Sequence, residues 1–140
     1  MSKNVKVIAM DRNGKILVVL PVTSNGQYGT YSLPRCTTDI DSPSEEALKL
    51  CGVECLYDIT SMKVSVDDVA EVITTEAGNF VVIVKVKEFP RNFRCNKEVF
   101  HADTNIRMPA VVQFEKVTVG RAIALVRNAD RGLLRFVFGD

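Results

Sequence analysis

Residues Ser32 to Val53 read S-L-P-R-C-T-T-D-I-D-S-P-S-E-E-A-L-K-L-C-G-V, and this stretch decides the fold. A short strand end runs into a turn at Pro34, then a polar loop, then a helix. Ser42 and Glu45 stand in the S-x-x-E spacing of a capping box, in which each side chain satisfies the other residue's backbone N–H. Pro43 falls at the first helical position, where its missing N–H costs nothing. Ala47, Leu48, Leu50 and Cys51 supply one apolar side. Gly52 can take the left-handed conformation that closes a helix, so the spacing predicts a helix ending there. Glu45, Glu46 and Lys49 are the polar remainder, and the chemistry of this loop–helix unit passes through them.

Upstream, Val5–Met10 is an apolar run, Asn13-Gly14 is a strong hairpin signal, and Lys15–Leu20 is the return strand, stopped by Pro21. The unbroken apolar run K-I-L-V-V-L predicts a strand buried on both faces. Thr23 to Gly29 is a polar loop, and Thr30–Leu33 recovers a brief strand. Tyr28 and Tyr31 are candidates for stacking on a base, although simple packing is the commoner role for a tyrosine near a strand. Downstream, Val53–Thr60 has the composition of a strand and Ser61–Val66 alternates with period two. Val69–Thr75 and Phe80–Phe89 form a second hairpin through Glu76-Ala77-Gly78-Asn79, with Lys85 and Lys87 on one face. Ala110–Val117 is a last strand, and Thr118 caps a helix running to about Asn128. For the apolar tail Arg131–Phe138 a strand, a helical extension and an oligomer contact all remain open.

The segment Pro90–Pro109 is the least periodic. Arg91, Arg94, Lys97 and Arg107 make it basic, with Phe93 and Phe100 interleaved. That mixture suits a single-stranded nucleic-acid platform. The preferred reading is plainer, a surface loop pinned to the domain by its aromatics.

The 140 residues are expected to form one domain, 1–140, with enough apolar surface for a single core. Hydrophobic residues at 46% and charged residues at 25% give a globular profile, and a net charge of +1 demands neither nucleic acid nor an anionic membrane. No apolar run approaches the ~20 residues of a spanning helix. The N-terminus lacks a signal-peptide core, so a cytoplasmic location is expected. Cys36, Cys51, Cys55 and Cys95 then read as reduced thiols. Zinc held by Cys51, Cys55, Cys95 and His101 is disfavoured, because Cys51 and Cys55 fall on different predicted elements. A Cys36 nucleophile with His101 as base is weaker still.

The loop–helix unit resembles the Nudix hydrolase family. Its signature is a strand ending in Leu-Pro-Gly-Gly, a loop, and a helix carrying R-E-U-x-E-E-x-G-U. Leu33-Pro34-Arg35-Cys36 stands where the family has Leu-Pro-Gly-Gly. With Gly52-Val53 taken as the closing pair, the R-E-U-x-E-E window falls on Glu45-Glu46-Ala47-Leu48-Lys49-Leu50. Only Glu46 then matches a family acid; Lys49 and Leu50 stand where active members carry two adjacent glutamates that hold Mg²⁺. The resemblance implies an α+β fold, a mixed β-sheet sandwiched between helices.

Family members cleave a diphosphate linked to another moiety, using divalent metal held by carboxylates to neutralise phosphate and activate water. A lysine repels such an ion and a leucine offers it no oxygen. The favoured expectation is therefore a Nudix-like domain with a degenerate box and an impaired metal site. It would bind a nucleotide or diphosphate-type ligand, or a protein or RNA partner, without efficient hydrolysis and with no required cofactor. Arg35, Lys49, Tyr28 and Tyr31 are its candidate ligand-binding residues. The alternative is an active pyrophosphohydrolase using Mg²⁺ or Mn²⁺ on Glu46 and Glu45, and a third reading is an unrelated α+β interaction domain. Oligomeric state is open.

Overall fold

The computed structural model describes residues 3–22, 29–101 and 105–139, with backbone alone at His101. Two hairpins, a short strand after the proline turn and a returning strand build a six-stranded mixed sheet. Its strands are β1 (Lys3–Met10), β2 (Lys15–Pro21), β3 (Arg35–Thr38), β4 (Val69–Thr74), β5 (Phe80–Lys85) and, out of chain order, β8 (Val111–Thr118). The path is β4-β5-β1-β2-β8, with β3 pairing β1, and β1–β5 is the parallel pair. Two further strands, β6 (Glu98–His101) and β7 (Ile106–Pro109), form a separate antiparallel ribbon. Helix α1 (Glu45–Thr60) covers one face of the large sheet, and α2 (Val119–Leu125) with α3 (Asn128–Phe138) covers the other.

The two-faced burial explains the unbroken apolar runs. Successive strand residues point to opposite faces, and here both faces are cores. Val5, Val7 and Ala9 of β1, Leu17 and Val19 of β2, and Phe80, Val82 and Val84 of β5 pack toward α1. Ile8, Ile16, Val18, Val81 and Ile83 pack toward α2 and α3. Lys6 also lies on the second face, and its ammonium pairs with Asp130 of α3, which is fully buried. Asp130 accepts a second bond from the Leu33 N–H at 3.0 Å, so the buried carboxylate fastens α3 to the proline turn.

The region around the quoted stretch differs from expectation in several places. The helix starts later than the Ser42–Glu45 box predicts: Ser44 is the N-cap, accepting from Ala47 N at 3.1 Å, and Ser42 is a loop residue with φ 50°. Gly52 does not end it. The helix continues to Thr60 and closes on Ser61, which takes the left-handed conformation. Gly52 is instead a point of close approach, since a Cβ there would lie 2.6 Å from Val82 Cγ1. The segment Val53–Thr60 is consequently helix and not strand. Its β-branched content suggested a strand, but Cys55, Leu56 and Ile59 continue the buried spacing begun at Leu48 and Gly52.

Smaller differences follow from local hydrogen bonding. Ser61–Val66 forms no strand; a 3-10 turn at Val66–Asp68 starts from Ser65, whose N–H donates to Asp68 at 2.8 Å. Thr30–Leu33 makes only isolated bridges, Val19–Ser32 and Tyr31–Val126, and the strand begins at Arg35. The final helix breaks at Val126–Arg127, and the tail is helical as α3. Arg131 Nε donates to Ile123 O at 2.9 Å, satisfying a carbonyl left open at the break.

Segment 90–109 has two structural roles. Arg94 N donates to Thr60 O and Asn96 N to Asp58 O, at 3.1 and 2.8 Å, and Asn96 Nδ2 reaches Tyr57 O at 3.0 Å. These bonds cap the α1 C-terminus, whose last carbonyls have no partner within the helix. Phe93 stacks on Phe114 with ring centroids 5.3 Å apart and also meets Phe89, so it pins the segment to the sheet. The remainder is the β6–β7 ribbon, on which Phe100 is exposed.

Candidate functional site

The strand geometry that opens a groove is visible in the pairing. Strands β1 and β2 are in register only at Met10–Ile16, beside their turn, and then splay apart. The proline turn and β3 fill the gap. Ser32 exchanges both backbone bonds with Val19 at 2.8 Å, Val7 N donates to Pro34 O at 2.9 Å, and β3 then pairs β1 from Lys6–Arg35 to Lys3–Thr38. The wedge is short, and a cavity of about 350 Å³ remains between it, the end of β2 and the ribbon. Apolar walls come from Val19, Val22, Leu33 and Ile59; the polar contributions are Asn4, Ser32, Thr37, Arg35 and Lys97. Among the described lining residues the charged side chains are Arg35 and Lys97, and none is a carboxylate.

Arg35 lies in a cationic setting. Its pKa is lowered from the usual guanidinium value first by burial and then by the neighbouring charge of Arg127, with Asp130 acting in the opposite direction. It stays charged near neutrality, as guanidinium groups do. Arg127 Nε is 3.5 Å from Asp130 Oδ2 with no hydrogen-bond partner, so the carboxylate already shared with Lys6 only partly compensates it.

The other candidate residues lie elsewhere. Glu45 and Glu46 project from the first turn of α1, exposed, with Lys49 Nζ 4.0 Å and 3.8 Å from their carboxylates. All three are outside the groove lining, so the structure does not bring Lys49 together with Arg35 there. Tyr31 is half-buried against the α2–α3 core, and its hydroxyl donates to Gln113 Oε1 at 2.8 Å. Burial, followed by Glu115, raises its pKa. Tyr28 lies outside the described residues.

With the helix running on past Gly52, the register anchored on that glycine loses its support. The positions of α1 that meet β3 and β5 are a turn and more further along, at Cys51, Gly52 and Cys55. Cys36 Sγ of β3 is 3.5 Å from Cys51 Sγ. Cys51 and Cys55 are therefore one turn apart on a single helix, and not on two elements as expected from sequence. Among the described residues, no three His, Cys, Asp or Glu side chains converge so as to hold a metal ion. In the sequence Lys97 is one cation of a basic segment; its place in the groove depends on a strand pairing that local patterns do not encode.

No family model matches the sequence, and no curated protein matches it. Solved structures do. A Nudix hydrolase from M. smegmatis superposes with TM-score 0.60 at 12% identity, over 97% of this chain and 81% of the other. The fold is Nudix-like. An Ap4A hydrolase from C. elegans gives TM-score 0.59 at 12% identity, covering 97% and 95% of the two chains. The Nudix domain of NrtR from Shewanella oneidensis, solved with ADP ribose, gives 0.53 at 11%, covering 97% and 84%. The Nudix-like sheet and its flanking helices thus account for nearly the whole chain, as the loop–helix resemblance implied. No helix among the described residues is long and apolar enough to cross a membrane.

Proposed function

We propose that this Nudix-like chain binds a nucleotide or other diphosphate-bearing small molecule in the groove between β1 and β2, through cationic side chains and without efficient hydrolysis. The observation that carries this reading is the charge of the groove wall. Arg35 and Lys97 line it and no carboxylate does among the described residues. A phosphate seated there replaces the repulsion between Arg35 and Arg127 with charge-assisted hydrogen bonds, for which a guanidinium offers paired donors. The solved relatives support the ligand class: one is an Ap4A hydrolase and another holds ADP ribose.

The donor set is a poor fit for a hard divalent cation. Mg²⁺ takes oxygen ligands, whereas the α1 side chains directed at β3 are thiols, and Glu45 and Glu46 lie in the exposed first turn paired to Lys49. In this reading Lys49 holds the helix start through Glu45 and Glu46, outside the groove, and no metal is required. Impairment of the metal site then comes from what faces the strand, more than from the Lys49 and Leu50 positions.

A thermal-shift and calorimetry series with ADP and ADP-ribose, each with and without Mg²⁺ or Mn²⁺, tests it. The expected result is a metal-independent rise in the unfolding midpoint, because a ligand that binds only the folded state stabilises it. Arg35→Gln should weaken binding about 10- to 100-fold, the equivalent of one charged hydrogen-bonding partner. Metal-dependent release of phosphate or monophosphate that Glu46→Gln abolishes would establish the pyrophosphohydrolase alternative. Absence of any shift with either nucleotide would sink the ligand reading.

A further inference from the structure

Where β3 lies against α1, the thiols of Cys36 and Cys51 face each other at 3.5 Å, and both residues are half-buried, within reach of small reagents. Cys55, one turn beyond Cys51, is buried. A disulfide needs a sulfur separation of about 2.0 Å. The two sulfurs are thus about 1.5 Å too far apart, a gap that side-chain rotation and a slight approach of strand and helix can close.

We propose that Cys36 and Cys51 form a reversible disulfide, with a low-molecular-weight disulfide of the glutathione type as oxidant, and that the bond clasps β3 to α1. The Cys36 thiolate attacks one sulfur of the reagent, breaking its S–S bond and expelling one thiolate. Cys51, having given its proton to solvent, then attacks the Cys36 sulfur of the mixed disulfide and expels the second. Two protein thiols and one reagent disulfide become one protein disulfide and two reagent thiols. The protein loses two hydrogens.

The order of attack takes Cys51 as the donor in the shared contact. Either sulfur can donate in this contact; donation from Cys51 favours the Cys36 thiolate and keeps Cys51 protonated. Hydrogen bonding to Cys55 and burial outweigh that help and push Cys36 up to about 12 overall. Oxidation is therefore slow at neutral pH and speeds up as thiolate becomes available. Cys36 also lines the groove, but bond formation needs no ligand there and is independent of the function proposed above.

The test uses the full wild-type chain, incubated with excess oxidised glutathione at about pH 8.5, near the ordinary thiol pKa. It is then quenched by acid and alkylation and mapped by non-reducing peptide mass spectrometry. The expected result is a loss of two hydrogens, a linked peptide pair joining Cys36 to Cys51, and a midpoint raised by about 10 °C, as suits a short closed loop. Dithiothreitol should reverse both changes. Cys55→Ser should keep the bond, and Cys36→Ser and Cys51→Ser should each abolish it. A Cys36–Cys55 link, a glutathione adduct that persists on Cys36, no oxidation at all, or a linked form with an unchanged or lower midpoint would overturn the proposal. Should the serine variants fold poorly, the wild-type map decides the matter alone.

Discussion

Gly52 shows how one atom can set the distance between a helix and a sheet. Replacing glycine by alanine inside a helix ordinarily gains about 1 kcal/mol. Here the added methyl would meet a β-branched side chain at its root, with Val82 Cγ1 at 2.6 Å and Val82 Cβ at 2.8 Å, so rotation cannot clear it. Overpacking of this kind costs about 1–3 kcal/mol. Gly52→Ala should therefore destabilise the protein in urea denaturation, and adding Val82→Ala should recover part of the loss through favourable coupling between the two sites. The buried carboxylate supplies a second residue-scale test. Asp130→Asn leaves Lys6 and Arg127 facing each other without a counter-charge, with Arg35 close by. Its expected cost is about 3–5 kcal/mol. Lys6→Met should cost less, because Asp130 keeps both Arg127 and the Leu33 N–H. Equal losses from the two variants would argue against the shared-carboxylate account.

At the scale of elements, the two N-terminal strands and the 69–85 hairpin were legible because each carries its own turn chemistry and apolar run. Both ends of helix α1 carry sequence signals with two physical meanings. Ser42 and Ser44 both offer a capping hydroxyl near Pro43, and glycine signals a helix end just as well as it signals close packing. Only the position of Val82 separates those two meanings. The α1 C-terminus, capped by the backbone of Arg94 and Asn96 from over thirty residues away, has no local signature. The same helix gives a pH prediction through its contact with β3. The folded state raises the Cys36 thiol from an ordinary 9.0 to about 12, with Cys55 and burial outweighing the lowering by Cys51. Between those values the unfolded chain has released a proton that the folded chain retains, so stability must fall as pH rises from about 9 toward 12. Below about 9 both states hold the proton and the group contributes no slope. Thermal midpoints measured from pH 8 to 11 should fall more steeply for the wild type than for Cys36→Ser, whose hydroxyl does not ionise in this range.

For the molecule as a whole, the sequence supplied the layers but not the groove. Alternating burial on two faces was implied by K-I-L-V-V-L, whereas the cavity exists because β1 and β2 part beyond Met10–Ile16, and a pairing register that stops is invisible in composition. Arg35 was recognisable from its place after Leu-Pro; Lys97 was not, because a ribbon from the far end of the chain brings it there. The same layering makes a claim about energetics. Among the described residues, the α1-side core and the α2–α3-side core share the sheet backbone but no side chain. Ile59 belongs to the first core and Ile8 to the second, each nearly or fully buried. Removing one methyl from either should cost about 0.5–1.5 kcal/mol. Sites without shared partners add to within about 0.3–0.5 kcal/mol, so Ile8→Val with Ile59→Val should lose the sum of the two single losses. Unfolding should stay a single transition with an unchanged urea slope, because neither helix layer can bury its apolar face once the sheet between them is lost. A coupling above about 1 kcal/mol would mean that strain passes through the sheet from one core to the other. Two separate transitions would mean that one helix layer can leave while the sheet persists against the other.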